Sequence, residues 1–209
     1  PKPHALLGIN LGKNKDTPNE NALTDYRIGL QKAWAHADYL TINISSPNTA
    51  GLRELQHGAA LRELLAGIKA EQQRLTAETA RRVPIVVKIA PDLDDTALHA
   101  TLDTIAEADM DGIIATNTTL DKSAVASHLH GGEQGGLSGA PLTAASTAIV
   151  QKIRAHLPHI ALIASGGVMS AADMQAKRDA GADLVQIYSG LIYHGPQLVR
   201  DCLRQLERG

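Results

Sequence analysis

Ile85-Val86-Val87-Lys88 is the stretch on which the fold turns. Three β-branched residues in a row have the composition of a strand buried on both faces. A lysine ends the run, and lysine is almost never buried without a partner. A cation there makes sense where something anionic must be held; the plainer alternative is a side chain that reaches solvent along its apolar stem. The pattern recurs on either side. Leu6-Leu7-Gly8-Ile9 runs into Asn10, Tyr39-Leu40-Thr41-Ile42 into Asn43, and Gly112-Ile113-Ile114-Ala115 into Thr116-Asn117. Ile160-Ala161-Leu162-Ile163 leads to Ser165-Gly166-Gly167, and Leu184-Val185-Gln186-Ile187 to Tyr188-Ser189-Gly190. Polar groups gathered at the carboxyl ends of parallel strands are how a β/α barrel builds an active site.

Between these strands the apolar residues fall at helical spacing: Leu61, Leu64, Leu65 and Ile68; Leu98, Leu102 and Ile105; Ile149, Val150 and Ile153; Leu198, Val199, Cys202 and Leu206. Asp94-Asp95-Thr96 and Ser170-Ala171-Ala172-Asp173 read as helix starts, the second with a carboxylate at the capping-box spacing, and Gly181 reads as a stop. Such alternation predicts a parallel sheet with helices outside it. Six β/α units are recognisable, whereas a closed (β/α)8 barrel has eight in roughly 250 residues. The expectation is therefore an α/β fold holding the last six units of a TIM barrel. Two further units would precede Pro1, and residues 1–209 would be the C-terminal portion of a single domain. The opening Pro1-Lys2-Pro3-His4, without Met and close to a strand, fits a chain that starts mid-protein. The competing fold is an open doubly wound sheet, but Gly8-Ile9-Asn10-Leu11-Gly12 lacks the spacing of its dinucleotide fingerprint. One connection is long: Asp121 to Pro141 carries Gly131, Gly132, Gly135, Gly136 and Gly139, too many for a helix interior and suited to a binding loop or a surface excursion.

Composition narrows the chemistry. With 209 residues, 44% hydrophobic, the chain can bury one substantial core. A formal charge of -2 and 2% aromatic content give little phosphate attraction and few stacking surfaces, so no nucleic-acid partner is expected. Cys202 is the single cysteine, which excludes an internal disulfide and a cysteine zinc site and fits a reducing, cytoplasmic setting. Nine histidines are present, but none forms a His-Glu-x-x-His pair, and His128 and His130 share a Gly-rich loop; no metal is expected. No stretch reaches the roughly 20 apolar residues of a membrane span, and no signal peptide opens the sequence.

Asn10, Asn43 and Asn117 take comparable positions, and Asn48 follows in the turn after the second strand. Each amide offers donors and an acceptor, so beside Lys88 the group could read a flat ligand with amide-like edges; a lone Asn there would be a turn former. Gly166-Gly167 and Ser189-Gly190 let backbone amides approach a phosphate, and in barrels the phosphate site follows strands seven and eight. Ordinary tight turns are the alternative. Ser45-Ser46-Pro47-Asn48 reads by spacing as a structural turn, because no histidine stands beside it to activate a serine.

Six ordered segments resemble dihydroorotate dehydrogenase: Asn10 to Lys15, Ile42 to Thr49, Val87 to Asp92, Ala115 to Thr119, Gly135 to Gly139 and Gln186 to Gly190. Ser46 stands where the soluble class of that family carries a cysteine, so the resemblance is to the quinone-dependent class 2, in its bacterial form. It implies an FMN-containing barrel that oxidises dihydroorotate to orotate in pyrimidine biosynthesis. Ser46 would take the C5 proton as hydride leaves C6, and Lys88 would lie against the flavin ring. Asn10, Asn43, Thr116, Gly139, Gly167, Tyr188 and Ser189 would bind FMN, the last three near its phosphate. Asn43, Asn48, Asn117 and Thr118 would hold the substrate. The family also implies earlier strands with further flavin and substrate groups. Class 2 adds N-terminal helices that admit quinone and dock the protein peripherally on the cytoplasmic face of the membrane. Two rival readings are another FMN barrel reductase, of the dihydropyrimidine or dihydrouridine type, and a non-catalytic partial barrel. The first would be expected to use a cysteine acid near the substrate, against which Ser46 and the near-neutral charge speak, and flavin absorbance separates the second.

Overall fold

The computed structural model describes residues 5–207, so the Pro1-Lys2-Pro3-His4 opening lies outside it. Strands β1 (Gly8–Gly12), β2 (Tyr39–Asn43), β3 (Ile85–Ile89), β4 (Gly112–Ala115), β5 (Ala161–Ser165) and β6 (Leu184–Gln186) alternate with helices. The helices are α1 (Ala22–Ala33), α2 (Gly58–Thr79), α3 (Asp95–Glu107), α4 (Thr143–His156), α5 (Ala171–Asp179), α6 (Ser189–His194) and α7 (Pro196–Leu206). Two compact units are distinguished: Pro1–Ser45, Thr49–Lys88 and Asp94–Gly112 form one, and Ser46–Asn48, Ile89–Leu93 and Ile113–Gly209 the other. Strand order follows chain order in each, β1-β2-β3 in the first and β4-β5-β6 in the second. The β1–β2, β2–β3 and β5–β6 pairings are parallel, as the alternation predicts.

A recurring aspartate sets the register at the amino-terminal ends of the strands. Asp38 sits one residue before β2, accepts the Leu7 N–H at 2.7 Å and donates its own N–H to the Leu7 carbonyl at 2.7 Å. Asp111, one residue before β4, does the same to Ile85 at 2.7 and 2.9 Å. Asp183, one residue before β6, does the same to Leu162, both bonds at 2.8 Å. Each carboxylate supplies an acceptor for an amide at or next to the start of the neighbouring strand. A slip of one residue would turn every side chain to the other face, so the clamp also decides which residues reach the site.

The clamp explains one boundary. The apolar run Leu6-Leu7-Gly8-Ile9 suggests a strand from Leu6, but β1 starts at Gly8 and continues to Gly12. Leu7 gives its amide to Asp38 and its carbonyl to Asp38 and Tyr39, and the side chains of Leu6 and Leu7 are exposed.

Helix ends behave as local chemistry dictates. The Asp94 carboxylate accepts the Ala97 N–H at 2.8 Å and caps α3. At α5 the Ser170 hydroxyl accepts the Asp173 N–H at 3.1 Å, while the Asp173 carboxylate takes the Ser170 hydroxyl at 2.8 Å and the Met169 N–H at 3.0 Å. Helix α1 buries Ala22, Tyr26, Leu30 and Ala33. That stripe of two alanines, one tyrosine and one leucine is too thin to read as a helix from periodicity. Behind the last strand, Val168, Met174, Leu198 and Cys202 close a small apolar cluster, which leaves the thiol buried and raises its pKa.

Candidate active site

In the first unit the strand ends place two predicted residues side by side. Asn43 closes β2 and is the register partner of Lys88, the penultimate residue of β3. The Asn43 amide oxygen accepts the Ser45 N–H at 3.2 Å and its hydroxyl at 3.1 Å, which fixes the plane of the amide. Its backbone carbonyl accepts the hydroxyl of Tyr26 at 2.8 Å. Tyr26 is fully buried, and burial pushes its phenol well above the ordinary value, so it stays a neutral donor. Lys88 is half-buried, not wholly interior as its β-branched run suggests. Among the described residues it has no hydrogen-bond or ion-pair partner, and burial alone pulls its pKa below the ordinary lysine value. Asn10 is exposed and sits two residues before the end of β1, because that strand runs on through Gly12.

The second unit holds the other predicted residues. The Asn48 N–H donates to Ser46 Oγ at 3.2 Å; Ser46 is half-buried and Asn48 exposed. After β4, the buried Thr116 donates its N–H to the Ser165 carbonyl at 2.7 Å and its hydroxyl to the Asn117 carbonyl at 2.9 Å. Asn117 donates its N–H to Ile89 at 2.9 Å and accepts the Thr118 N–H on its amide oxygen at 2.8 Å. The Asp92 carboxylate holds the next turn, taking the Thr119 hydroxyl and, at 3.0 Å, the Leu120 N–H.

Sequence reasoning left open what the Gly-rich connection does. Thr119 and Leu137 form an antiparallel bridge that ties its two ends together. A Cβ on Gly136 would overlap Thr118 Oγ1 and come within 2.9 Å of Pro47, and one on Gly135, whose φ is +107°, would lie 3.3 Å from Asn48 Oδ1. The segment is therefore a wall against Pro47, Asn48 and Thr118. Gly136 is required by that close approach, and Gly135 by its left-handed backbone.

The glycines after β5 lie in the left-handed region, at φ +107° for Gly166 and +70° for Gly167. Thr143 donates its hydroxyl to the Gly167 carbonyl at 2.6 Å, and Ser146 donates to the Gly166 carbonyl at 2.9 Å. Ser189 opens α6, with its hydroxyl 2.9 Å from that of Ser138; a Cβ on Gly139 would lie 3.9 Å from the Ser189 Cβ. Tyr188 is 79% exposed. Among the described residues no group of three His, Cys, Asp or Glu is arranged to hold a metal ion.

Comparison with known proteins follows the same residues. The dihydroorotate dehydrogenase family model matches residues 2–209. A dihydroorotate dehydrogenase (quinone) of Dichelobacter nodosus is 63% identical over 200 residues, 96% of this chain and 59% of that protein. One from Xanthomonas campestris pv. campestris is 53% identical over 204 residues, 97% of this chain and 58% of that protein. The chain thus spans less than two thirds of the length of these relatives. Among solved structures, ligand-free DHODH from Eimeria tenella matches 97% of this chain and 59% of its own, with a TM-score of 0.89 and 40% identity. The ferulenol complex of the Eimeria tenella protein gives 0.89 and 38%, over 97% of this chain and 57% of its own. That likeness bears out the barrel units over the doubly wound sheet. With a family model covering nearly every residue, the chain belongs to the dihydroorotate dehydrogenase family, and the bacterial relatives it resembles at above half identity are named for the quinone-type, class 2 enzyme.

Proposed function

We propose that these residues serve the oxidation of dihydroorotate to orotate, with FMN as the bound cofactor and a quinone as the final acceptor, in pyrimidine biosynthesis. The observation that carries the reading is Lys88, a half-buried cation at a strand end with no partner among the described residues. A charge held out of water in that way wants an anionic or electron-rich ligand. The residues present fit FMN: a lone cation for the ring, amide-bearing strand ends at Asn43 and Asn117, and left-handed glycines at Gly166, Gly167 and Gly139 for a phosphate.

When bound, FMN supplies the hydride acceptor. The chain's residues do the rest. Ser46 Oγ, once its own proton has gone to solvent, takes the C5 proton of the substrate and returns to the neutral hydroxyl, and the Asn48 N–H it already accepts stabilises the alkoxide that does so. Asn43, Asn48, Asn117 and Thr118 hold the substrate ring and carboxylate. Asn10, Asn43, Lys88, Thr116, Gly139, Gly167, Tyr188 and Ser189 hold the cofactor. The Gly135-Gly136 wall keeps Asn48 and Thr118 in place. In the whole protein, Gly136→Ala is expected to raise the dihydroorotate KM or lower kcat/KM by on the order of tenfold to a hundredfold, with flavin content unchanged. Steady-state assays beside the flavin spectrum check this.

Quinone-coupled orotate formation tests the reading itself. Purified whole protein should be yellow and produce orotate from dihydroorotate when a soluble ubiquinone analogue is added. Orotate formation without flavin, or flavin without orotate, would contradict it.

A further inference from the structure

Lys177 is the one lysine of the second unit that the proposed chemistry leaves unused yet the fold hides completely. It lies on α5 with 0% exposure, and its Nζ donates to Ser146 Oγ at 2.7 Å and to Thr147 Oγ1 at 3.1 Å, both on α4. Among the described residues no carboxylate pairs with it; Asp173, one turn before, is already engaged by Ser170 and Met169. Burial pulls its pKa down to about 8. Hydroxyls satisfy it, but they do not neutralise it.

The two hydroxyls lead somewhere. A serine hydroxyl has one proton to give. With an ammonium N–H facing it, Ser146 Oγ must act as acceptor toward Lys177, and its own proton goes to the Gly166 carbonyl at 2.9 Å, with the Thr143 carbonyl at 3.1 Å as the alternative. Thr147 in turn donates to the Thr143 carbonyl at 2.8 Å, and Thr143 donates its hydroxyl to the Gly167 carbonyl at 2.6 Å. The Ser165 carbonyl is held by the Thr116 N–H at 2.7 Å. Three successive carbonyls are therefore fixed by protein donors. In a trans peptide the C=O and the following N–H point in opposite directions. Fixing the carbonyls of Ser165, Gly166 and Gly167 thus also fixes the amides of Gly166, Gly167 and Val168, and successive amides in such a turn form an anion-binding nest.

We propose that Lys177 is a positioning residue for the cofactor phosphate, orienting the Gly166-Gly167 amides through Ser146. The inference rests on the FMN reading above. A lysine that merely filled the space between α4 and α5 would affect all flavins alike, whereas one that orders a phosphate nest affects only those that carry a phosphate. Riboflavin lacks that group and is otherwise the same molecule.

The test uses whole protein stripped of flavin and titrated with FMN and with riboflavin, following flavin fluorescence. Wild type should bind FMN more tightly than riboflavin. In Lys177→Met the FMN affinity should fall by about tenfold or more, about 1.4 kcal/mol, while riboflavin affinity stays within about twofold. Ser146→Ala, which removes the relay without emptying the lysine site, should narrow the preference in the same direction, and it serves where Lys177→Met does not fold. A preference that both variants keep in full, or a fall shared equally by the two flavins, overturns the inference alone. Equal binding of the two flavins by wild type overturns the cofactor reading and the inference with it.

Discussion

Ser46→Ala in the whole protein is expected to retain its flavin and to slow reduction of that flavin by dihydroorotate on the order of a hundredfold to ten-thousandfold. The size follows from the role: without the hydroxyl no positioned group takes the C5 proton, while binding groups on other elements are untouched. The structure adds a pH dependence. Ser46 Oγ accepts one N–H, from Asn48, and has no histidine or carboxylate partner among the described residues. An unassisted hydroxyl is a poor acceptor near neutrality, so the wild-type reduction rate should climb with pH until the acceptor is competent. The variant should show that climb much weakened. Stopped-flow reduction of Ser46→Ala within about tenfold of wild type, at matched flavin content, would remove the serine from the reaction.

Lys88→Met should act on the cofactor instead. Methionine keeps much of the stem and discards the charge. The variant is expected to lose most of its flavin on purification, and its flavin-free form should unfold at a higher temperature than flavin-free wild type, since a half-buried cation without a partner costs stability. The sign with pH is fixed by the direction of the shift. Burial lowers the folded-state pKa of Lys88, so the unfolded chain binds the proton more readily in the window between the lowered value and 10.5. Wild-type flavin-free stability should therefore rise with pH through that window, and the Lys88→Met curve should lack the rise. Affinity for an anionic ligand should run the other way, weakening in wild type as the cation is lost. Normal flavin content with normal turnover would refute the assignment of Lys88.

What could be read from the residues was local. The run Gly112 to Ala115 gives β4 at both ends, and the caps at Asp94 and Ser170 hold because a side-chain acceptor three residues before its backbone N–H donor needs no tertiary context. Long-range partners were not readable. Asp38, Asp111 and Asp183 each look like an ordinary turn aspartate, yet each clamps a strand that lies 21 to 31 residues earlier. Lys177 lies in Gln175-Ala176-Lys177-Arg178-Asp179, which reads as a solvated helix face; only the fold shows that this one lysine turns inward to α4. For the site, Asn43 and Lys88 were legible as strand-end residues because alternation and burial predict them, whereas Asn10 fell inside its strand. Ser46 was visible only through resemblance, since a serine with one backbone contact carries no spacing signal of its own. Gly135 and Gly136 stood out as glycines, but not as a wall, because the side chains that demand them come from two other loops.

The most direct check is a single anaerobic turnover. Dihydroorotate added without quinone to the purified, flavin-loaded whole protein should bleach the oxidised flavin absorbance and yield orotate in equal amount to the flavin bleached. Flavin that stays oxidised in the presence of saturating dihydroorotate, or bleaching with no orotate formed, would contradict the account.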